Sequence, residues 1–344
     1  MFASLLKFFA SRLYAAGVRW RLRRYRSGRL KTHHLNAPVI SIGNLTVGGT
    51  GKTPCTAFIA NFLKADGLNV AILSRGYKRQ SKGLVEVSDG QNILCDAARA
   101  GDEPYLLAQL CPGVRVVVNA NRYDAGKWLE AKTRVDVFLL DDGYQHIQLH
   151  RDLNLLLLDG ENPVGNGQVL PSGILREPLE ELARAEVVIG TRMTHAVRDE
   201  IRALLYFFGA SKPPLFFAHH EIAGFQLLNN APPLKQFKQA KVAAFSGIAQ
   251  PARFFADLER KQLQLVYNQA FPDHHRYSVA DLTALFQQAA AQQTAAIITT
   301  EKDAANLPPE VLSQTLLPIY TAQLQFRMEN ETDFKRLIRE KIKR

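Results

Sequence analysis

Eleven residues, Gly43-Asn44-Leu45-Thr46-Val47-Gly48-Gly49-Thr50-Gly51-Lys52-Thr53, restrict what this chain can fold into more than any other stretch. A short apolar run, Pro38-Val39-Ile40-Ser41-Ile42, precedes them, and Phe58, Ile59, Phe62 and Leu63 follow at helical spacing. Strand, glycine loop and helix in that order form the setting of a phosphate-binding loop. Glycines let successive N–H groups turn inward around an anion, and the helix start adds the positive end of its dipole. The pattern assigns Thr46, Val47, Gly48, Gly49, Thr50, Gly51, Lys52 and Thr53 to nucleotide binding. Lys52 would reach the β- and γ-phosphates, and the Thr53 hydroxyl would bind Mg²⁺. The common pattern has a glycine where Thr46 stands, and Gly48 and Gly49 supply the flexibility instead.

A phosphate loop of this kind belongs to an α/β fold, a P-loop NTPase-like parallel sheet flanked by helices. The 344 residues suffice for that and for a second, smaller α/β lobe. Cys55, Cys95 and Cys111 are odd in number and lack metal-ligand spacing, which excludes a disulfide framework. The formal net charge of +11 is concentrated at the start: nine Lys or Arg lie within residues 1–31, and the first acid is Asp66. Such asymmetry calls for an acidic partner, either nucleic acid or an anionic membrane surface. Phe2, Leu5, Leu6, Phe9, Leu13, Ala16 and Trp20 recur at helical spacing beside that charge. No uncharged run approaches the ~20 residues a spanning helix needs. The stretch therefore reads as an amphipathic helix lying in a membrane interface, or alternatively one packed on the domain.

Further along, apolar strands end in polar residues, and ligands sit at the carboxyl ends of such strands. Leu68–Leu73 leads to Ser74-Arg75-Gly76-Tyr77, which makes Arg75 and Tyr77 candidates. Gly101-Asp102-Glu103-Pro104 opens a helix, where Asp102 or Glu103 would serve as a cap. Val114–Val118 leads to Arg122. Val135–Leu140 runs into Asp141-Asp142-Gly143-Tyr144-Gln145-His146, a Walker-B arrangement in which Asp141 or Asp142 would hold the metal. A long loop from Gly160 to Pro178 delivers Arg176 and Glu177. Val187–Arg192 is expected to close the parallel set, and Phe216–Leu228 to leave it as a strand or ribbon. A second α/β unit begins at Lys241, and a charged helix ends the chain. Thr300-Glu301-Lys302-Asp303 has the wrong residue order for a guanine-reading motif, so ATP is the expected nucleotide.

In combination these stretches resemble the tetraacyldisaccharide 4′-kinase (lipid A 4′-kinase) family, from the basic N-terminus to Thr300–Asp303. Leu73-Ser74-Arg75-Gly76-Tyr77, Leu175-Arg176-Glu177-Pro178 and Phe271-Pro272-Asp273-His274-His275 complete the match. The resemblance implies phosphoryl transfer from ATP, with Mg²⁺, to the 4′-hydroxyl of a tetraacylated glucosamine disaccharide 1-phosphate. It also implies a peripheral enzyme on the cytoplasmic face of the inner membrane, with two α/β lobes joined by a β-ribbon. It makes Asp102 the catalytic candidate, paired with His274 from the second lobe, with Asp273 and His275 as competitors. Charge leaves Arg75, Tyr77, Glu103, Arg122, His146, Arg176 and Glu177 as phosphate or substrate contacts.

The expected division is 1–31 for the membrane-interface helix, 32–215 for the kinase domain, 216–329 for the ribbon and smaller lobe, and 330–344 for a C-terminal helix. Two alternatives stand beside the kinase: a membrane-recruited switch ATPase and a nucleic-acid-stimulated ATPase. Val47 stands where such switch proteins often carry an extra lysine. Only Trp20 and Tyr25 interleave the basic run for base stacking. The expected partner is therefore lipid, with no nucleic acid and no obligate protein partner.

Overall fold

The computed structural model describes residues 2–209, 212–313 and 315–343, with residues 2–4 and Pro309 described in backbone only. Met1 and the Phe2 side chain of the apolar stripe thus lie outside the described parts, as does Arg344.

Twelve strands among the described residues form one sheet. They are β1 (Val39–Asn44), β2 (Val70–Ser74), β3 (Val85–Asp89), β4 (Arg115–Val118), β5 (Val137–Asp141) and β6 (Leu153–Asp159). β7 (Val187–Thr191), β8 (Leu215–Leu227), β9 (Lys241–Ser246), β10 (Gln264–Ala270), β11 (Ala296–Thr300) and β12 (Ile319–Met328) complete it. Their order is β10-β9-β11-β12-β8-β7-β6-β1-β5-β2-β4-β3. β1 lies between β5 and β6, parallel to both, and is buried along its whole length. Strands covered on both faces read as continuous apolar runs, which is why β1, β2, β5 and β6 are visible in the sequence. Their carboxyl ends all open on one edge of the sheet, where the phosphate loop, Ser74 and Asp141 meet.

Two details depart from expectation. β7 does not close the parallel set, because the first residues of β8, Leu215 to Ala218, pair with it in parallel. Pro213-Pro214 interrupts the chain without interrupting the sheet: proline lacks a donor, but the Pro214 carbonyl still accepts from the Val188 N–H. From Ala218 onward β8 runs antiparallel to β12, and this long ribbon carries the sheet from one lobe to the other. The C-terminal helix Glu331–Ile342 is also more than a charged tail. Phe334 and Ile338 are fully buried in the first lobe's core beside Phe58 and Phe62, and Arg339 pairs with Asp66.

The N-terminal helix spans Phe2–Arg26. It packs through Ser11, Ala15 and Leu22, the face opposite the apolar stripe. Ser11 Oγ donates to the Val169 carbonyl and accepts from the Ser172 N–H, fastening the helix to the long loop. The stripe itself stands in solvent: Leu13 is 75% and Trp20 61% exposed, and Leu5, Leu6 and Phe9 join them. No helix among the described residues is long and apolar enough to cross a membrane.

Candidate active site

A cavity of about 1100 Å³ lies between the lobes. Its walls include Val47 to Thr53, Arg75, Tyr77, Glu103 and Arg122. Asp142, His146, Arg176 and Glu177 also reach it from the first lobe, and His274 and Lys302 from the second. Thr46 is the loop residue that does not line it. Its side chain is buried and accepts from Asn44 Nδ2, so glycine's place in the common pattern is taken by a residue that turns inward.

The loop is shaped from both sides. Gly51 caps the helix Lys52–Ala65 at φ +88°, a conformation that side-chain-bearing residues avoid. A Cβ at Gly51 would collide with the His220 ring, which β8 lays against the loop. The Val47 N–H donates to the Ile174 carbonyl, and the Arg176 N–H to the Leu45 carbonyl. Arg192 and Thr191, at the end of β7, donate to the carbonyls of Gly49 and Thr50. Arg192 follows from the strand-end rule that selected Arg75, although sequence reasoning passed over it.

The two adjacent acids part company here. Asp141 ends β5 at 1% exposure, accepting from the Thr56 and Ser74 hydroxyls. Burial, then Glu103 and Asp142, push its carboxyl up to about 7. Asp142 leaves the strand at φ +49° and faces the cavity. It accepts two bonds from Arg176, at 3.0 and 2.7 Å, and its carboxylate lies 3.6 Å from Lys52 Nζ. Burial opposes its ionisation, but Lys52 and Arg176 outweigh burial and hold it below the usual range. The left-handed turn is what lets neighbouring acids take different environments.

Cationic groups surround them. Arg122 is buried, and burial followed by Arg75 lowers it to about 10. Arg122 Nε, His146 Nε2 and Thr50 Oγ1 are buried without a hydrogen-bond partner among the described residues. Buried donors left unsatisfied are costly, and an anion in the cavity would satisfy such groups. Glu177 turns instead to Arg184 and Gln145, and Gln145 Nε2 donates to the Asn44 carbonyl. Glu177 thus braces the loop's strand, and Gln145, which stands in the Asp141–His146 stretch but was not singled out as a site residue, is a supporting residue.

Across the cleft, His274 Nδ1 lies 2.7 Å from Asp102 Oδ2. The cap of the helix Asp102–Leu110 is Gly101 at φ +91°, with no side-chain bond, so Asp102 is released from capping. Burial raises the Asp102 carboxyl, but hydrogen bonds from His274 and Asn306 outweigh it and keep the group below its usual range. Of the competitors, His275 turns away to bond Asp281, whereas Asp273 also lines the cavity, pairing with Lys302 and lying 3.7 Å from His274 Nε2. A second interlobe contact joins Arg253 to Asp159 and Glu161.

His146 and His220 are lowered to about 3 and about 4, by burial first and then by Arg122 and Arg192 respectively. Both stay neutral in the fold while the unfolded chain takes up protons below about 6.5. Stability should therefore fall as pH drops from about 6.5 to 4, by up to about 1.4 kcal/mol per pH unit for each group. Melting temperature measured against pH should decline less steeply in His220→Gln; an identical slope would show that His220 does not contribute.

The comparisons with known proteins agree with one another. A family model described as LpxK, tetraacyldisaccharide-1-P 4′-kinase, matches residues 3–343. A tetraacyldisaccharide 4′-kinase of Geobacter metallireducens is 43% identical, over 92% of this chain and 91% of that relative. One of Desulfotalea psychrophila is 40% identical, over 95% and 93%. The crystal structure of LpxK from Aquifex aeolicus in complex with ATP superposes with a TM-score of 0.78 at 35% identity, covering 99% of this chain and 100% of that one.

Proposed function

Since this chain belongs to the LpxK family of tetraacyldisaccharide-1-P 4′-kinases, we propose that its closed cleft carries out phosphoryl transfer at a membrane surface with Asp102 as the base. The enzyme is an ATP-dependent kinase of lipid A biosynthesis, and its acceptor is the 4′-hydroxyl of a tetraacylated glucosamine disaccharide 1-phosphate. The observation that carries the mechanism is the Asp102–His274 pair, which bridges the lobes beside a cavity lined by His274, Lys52, Glu103 and Asp142.

The loop amides from Gly48 to Thr53 and the Lys52 ammonium hold the nucleotide's phosphates, while the Val47 N–H stays on the Ile174 carbonyl. Arg75, Arg122, His146, Tyr77 and Arg176 are the groups available to the transferring phosphoryl and the lipid's 1-phosphate. An all-oxygen donor set of Thr53 and Asp142, with Asp141 and Glu103 behind, suits a hard divalent cation. Among the described residues no three acid, His or Cys side chains close a ready-made metal cage, and magnesium usually takes its remaining ligands from phosphate and water. Bound there, Mg²⁺ would neutralise charge on the β- and γ-oxygens.

Asp102 accepts the hydroxyl proton as the P–O bond forms, and His274 orients the carboxylate. In a loose transition state the hydroxyl needs orientation more than a strong base, which suits a carboxylate of lowered proton affinity. Because the two partners come from different lobes, the pair assembles only on closure, which excludes water from the γ-phosphate.

Acyl chains leave a bilayer at a cost of about 0.8 kcal/mol per CH₂, so the enzyme meets its substrate at the surface. The exposed stripe of the N-terminal helix, flanked by Arg12, Arg19 and Arg23, fits an anionic cytoplasmic leaflet. The same reading divides the chain into that helix with its basic tail (1–31), kinase domain (32–215), ribbon and smaller lobe (216–329) and C-terminal helix (330–344). The test is transfer of labelled γ-phosphate to the lipid presented in anionic vesicles. The wild type should label the lipid and float with the vesicles. Leu13→Glu/Trp20→Glu should lose at least tenfold in vesicle binding, since two charges enter an apolar interface. Unchanged flotation would remove the membrane assignment, and unlabelled lipid would remove the acceptor.

A further inference from the structure

Thr300-Glu301-Lys302-Asp303 is the one motif that the transfer chemistry leaves without a task. Thr300 ends β11 and caps a short helical turn, Glu301–Ala304, that packs beside the helix carrying Asp102. Asp303 is buried there and accepts four hydrogen bonds. Its Oδ1 takes the Gly247 N–H at 2.9 Å and the Tyr277 hydroxyl at 2.8 Å. Its Oδ2 takes the Ser246 hydroxyl at 2.9 Å and the Thr300 hydroxyl at 2.7 Å. A buried carboxylate is tolerated when donors surround it, and here they come from β9, β11 and the far end of the loop that holds His274.

Gly247 is the link to that loop. A Cβ on it would approach the Tyr277 hydroxyl to 3.0 Å and Asp303 Oδ1 to 3.2 Å, tighter than ordinary packing. Its carbonyl accepts the His274 N–H at 3.0 Å. His274 sits at φ +63°, a left-handed conformation uncommon for a residue with a side chain, which must be held by its surroundings. Lys302 acts on the other flank: its Nζ lies 3.1 Å from Asp273 Oδ1, and Asp273 Oδ2 lies 3.7 Å from His274 Nε2.

We propose that Asp303 and Lys302 are positioning residues for the transfer step. Asp303 clamps Gly247 and Tyr277 so that the backbone between them presents His274 to Asp102, and Lys302 steadies the same loop through Asp273. The motif sits at a strand end, where related folds read a nucleobase, yet its carboxylate faces the loop of the partner to the base. The inference rests on Asp102 and His274 acting as proposed above.

The test is a double-mutant cycle. Asp303→Asn preserves shape and should lower kcat by about 10–100-fold while KM for ATP stays within about twofold, the signature of a lost transition-state contact. Lys302→Met, at a site where a fold defect is not expected, should lower kcat by about 3–10-fold. In a His274→Ala background both changes should have almost no further effect, because residues acting through one group are not additive. Full multiplicative losses in that background, or a raised KM for ATP at unchanged kcat, would overturn the positioning role. If Asp303→Asn melts far below the wild type, the Lys302→Met arm decides by the same criterion. Unchanged turnover in His274→Ala alone would overturn the role assigned to the histidine, and the positioning role with it.

Discussion

Asp102→Asn is expected to lower kcat by about 10²–10⁴-fold, the range that loss of a positioned general base produces, with ATP affinity near that of the wild type. The amide keeps the size of the carboxylate and can still meet His274 Nδ1, now 2.7 Å away, so the lobes should still close. What disappears is the acceptor for the sugar proton. Steady-state rates with nucleotide binding measured separately would separate the two effects. Equal losses in turnover and ATP affinity would show that Asp102 acts in binding or folding and not in proton transfer. Hydrogen bonds hold Asp102 below the ordinary carboxylate range, so it is ionised and competent at and above that range. Activity dependent on it should be lost only as pH falls below that range. An acid limb near neutrality would have to come from another group.

The second large effect is expected at Lys52. Its side chain, at the start of the helix that follows the loop, is 9% exposed, and its ammonium lies 3.6 Å from Asp142. Lys52→Met keeps most of the buried stem and removes the charge. Turnover should fall by about 10²–10³-fold, as for loss of a preorganised group at developing charge in a site shielded from water. Lys52→Arg should not restore it, because a planar guanidinium does not replace a compact ammonium in a closed loop. Single-turnover transfer at saturating ATP reads the chemical step directly, and a loss of less than about fivefold would contradict the assignment. Asp142 would then rely on Arg176 and Arg122 to stay ionised, so its carboxyl should titrate higher in the variant.

Much of this arrangement is legible one residue at a time. Buried parallel strands are continuous apolar runs, and their ends announce themselves by charge, as at Asp141 and Asp142. β10 could not be read so easily, since only alternate residues of an edge strand are covered. The helix Asp102–Leu110 begins three residues earlier than its first clear apolar position, Tyr105, because Gly101 makes the turn without a side-chain cap. The apolar stripe of the N-terminal helix was visible, but which face would meet the protein was not: both faces carry small or apolar residues, and Ser11, Ala15 and Leu22 prevail by fitting the long loop and its core.

The residues that act through others were the hardest to foresee. Arg192 and Arg253 look in sequence like solvated charges, and Gln145 and Asp303 stand inside motifs that say nothing of what those two side chains touch. Their partners lie tens to hundreds of positions away, at Asn44, Gly49, Asp159 and Gly247.

The order of residues alone determined the glycine loop, the sheet around it and the supply of charges, because backbone conformation and apolar runs are local properties. Folding in three dimensions decided which of two adjacent acids meets Lys52, which face of the first helix stays exposed, and that a histidine 172 residues away lies against Asp102. Those outcomes depend on burial and on distances across the cleft, and no stretch of sequence contains either.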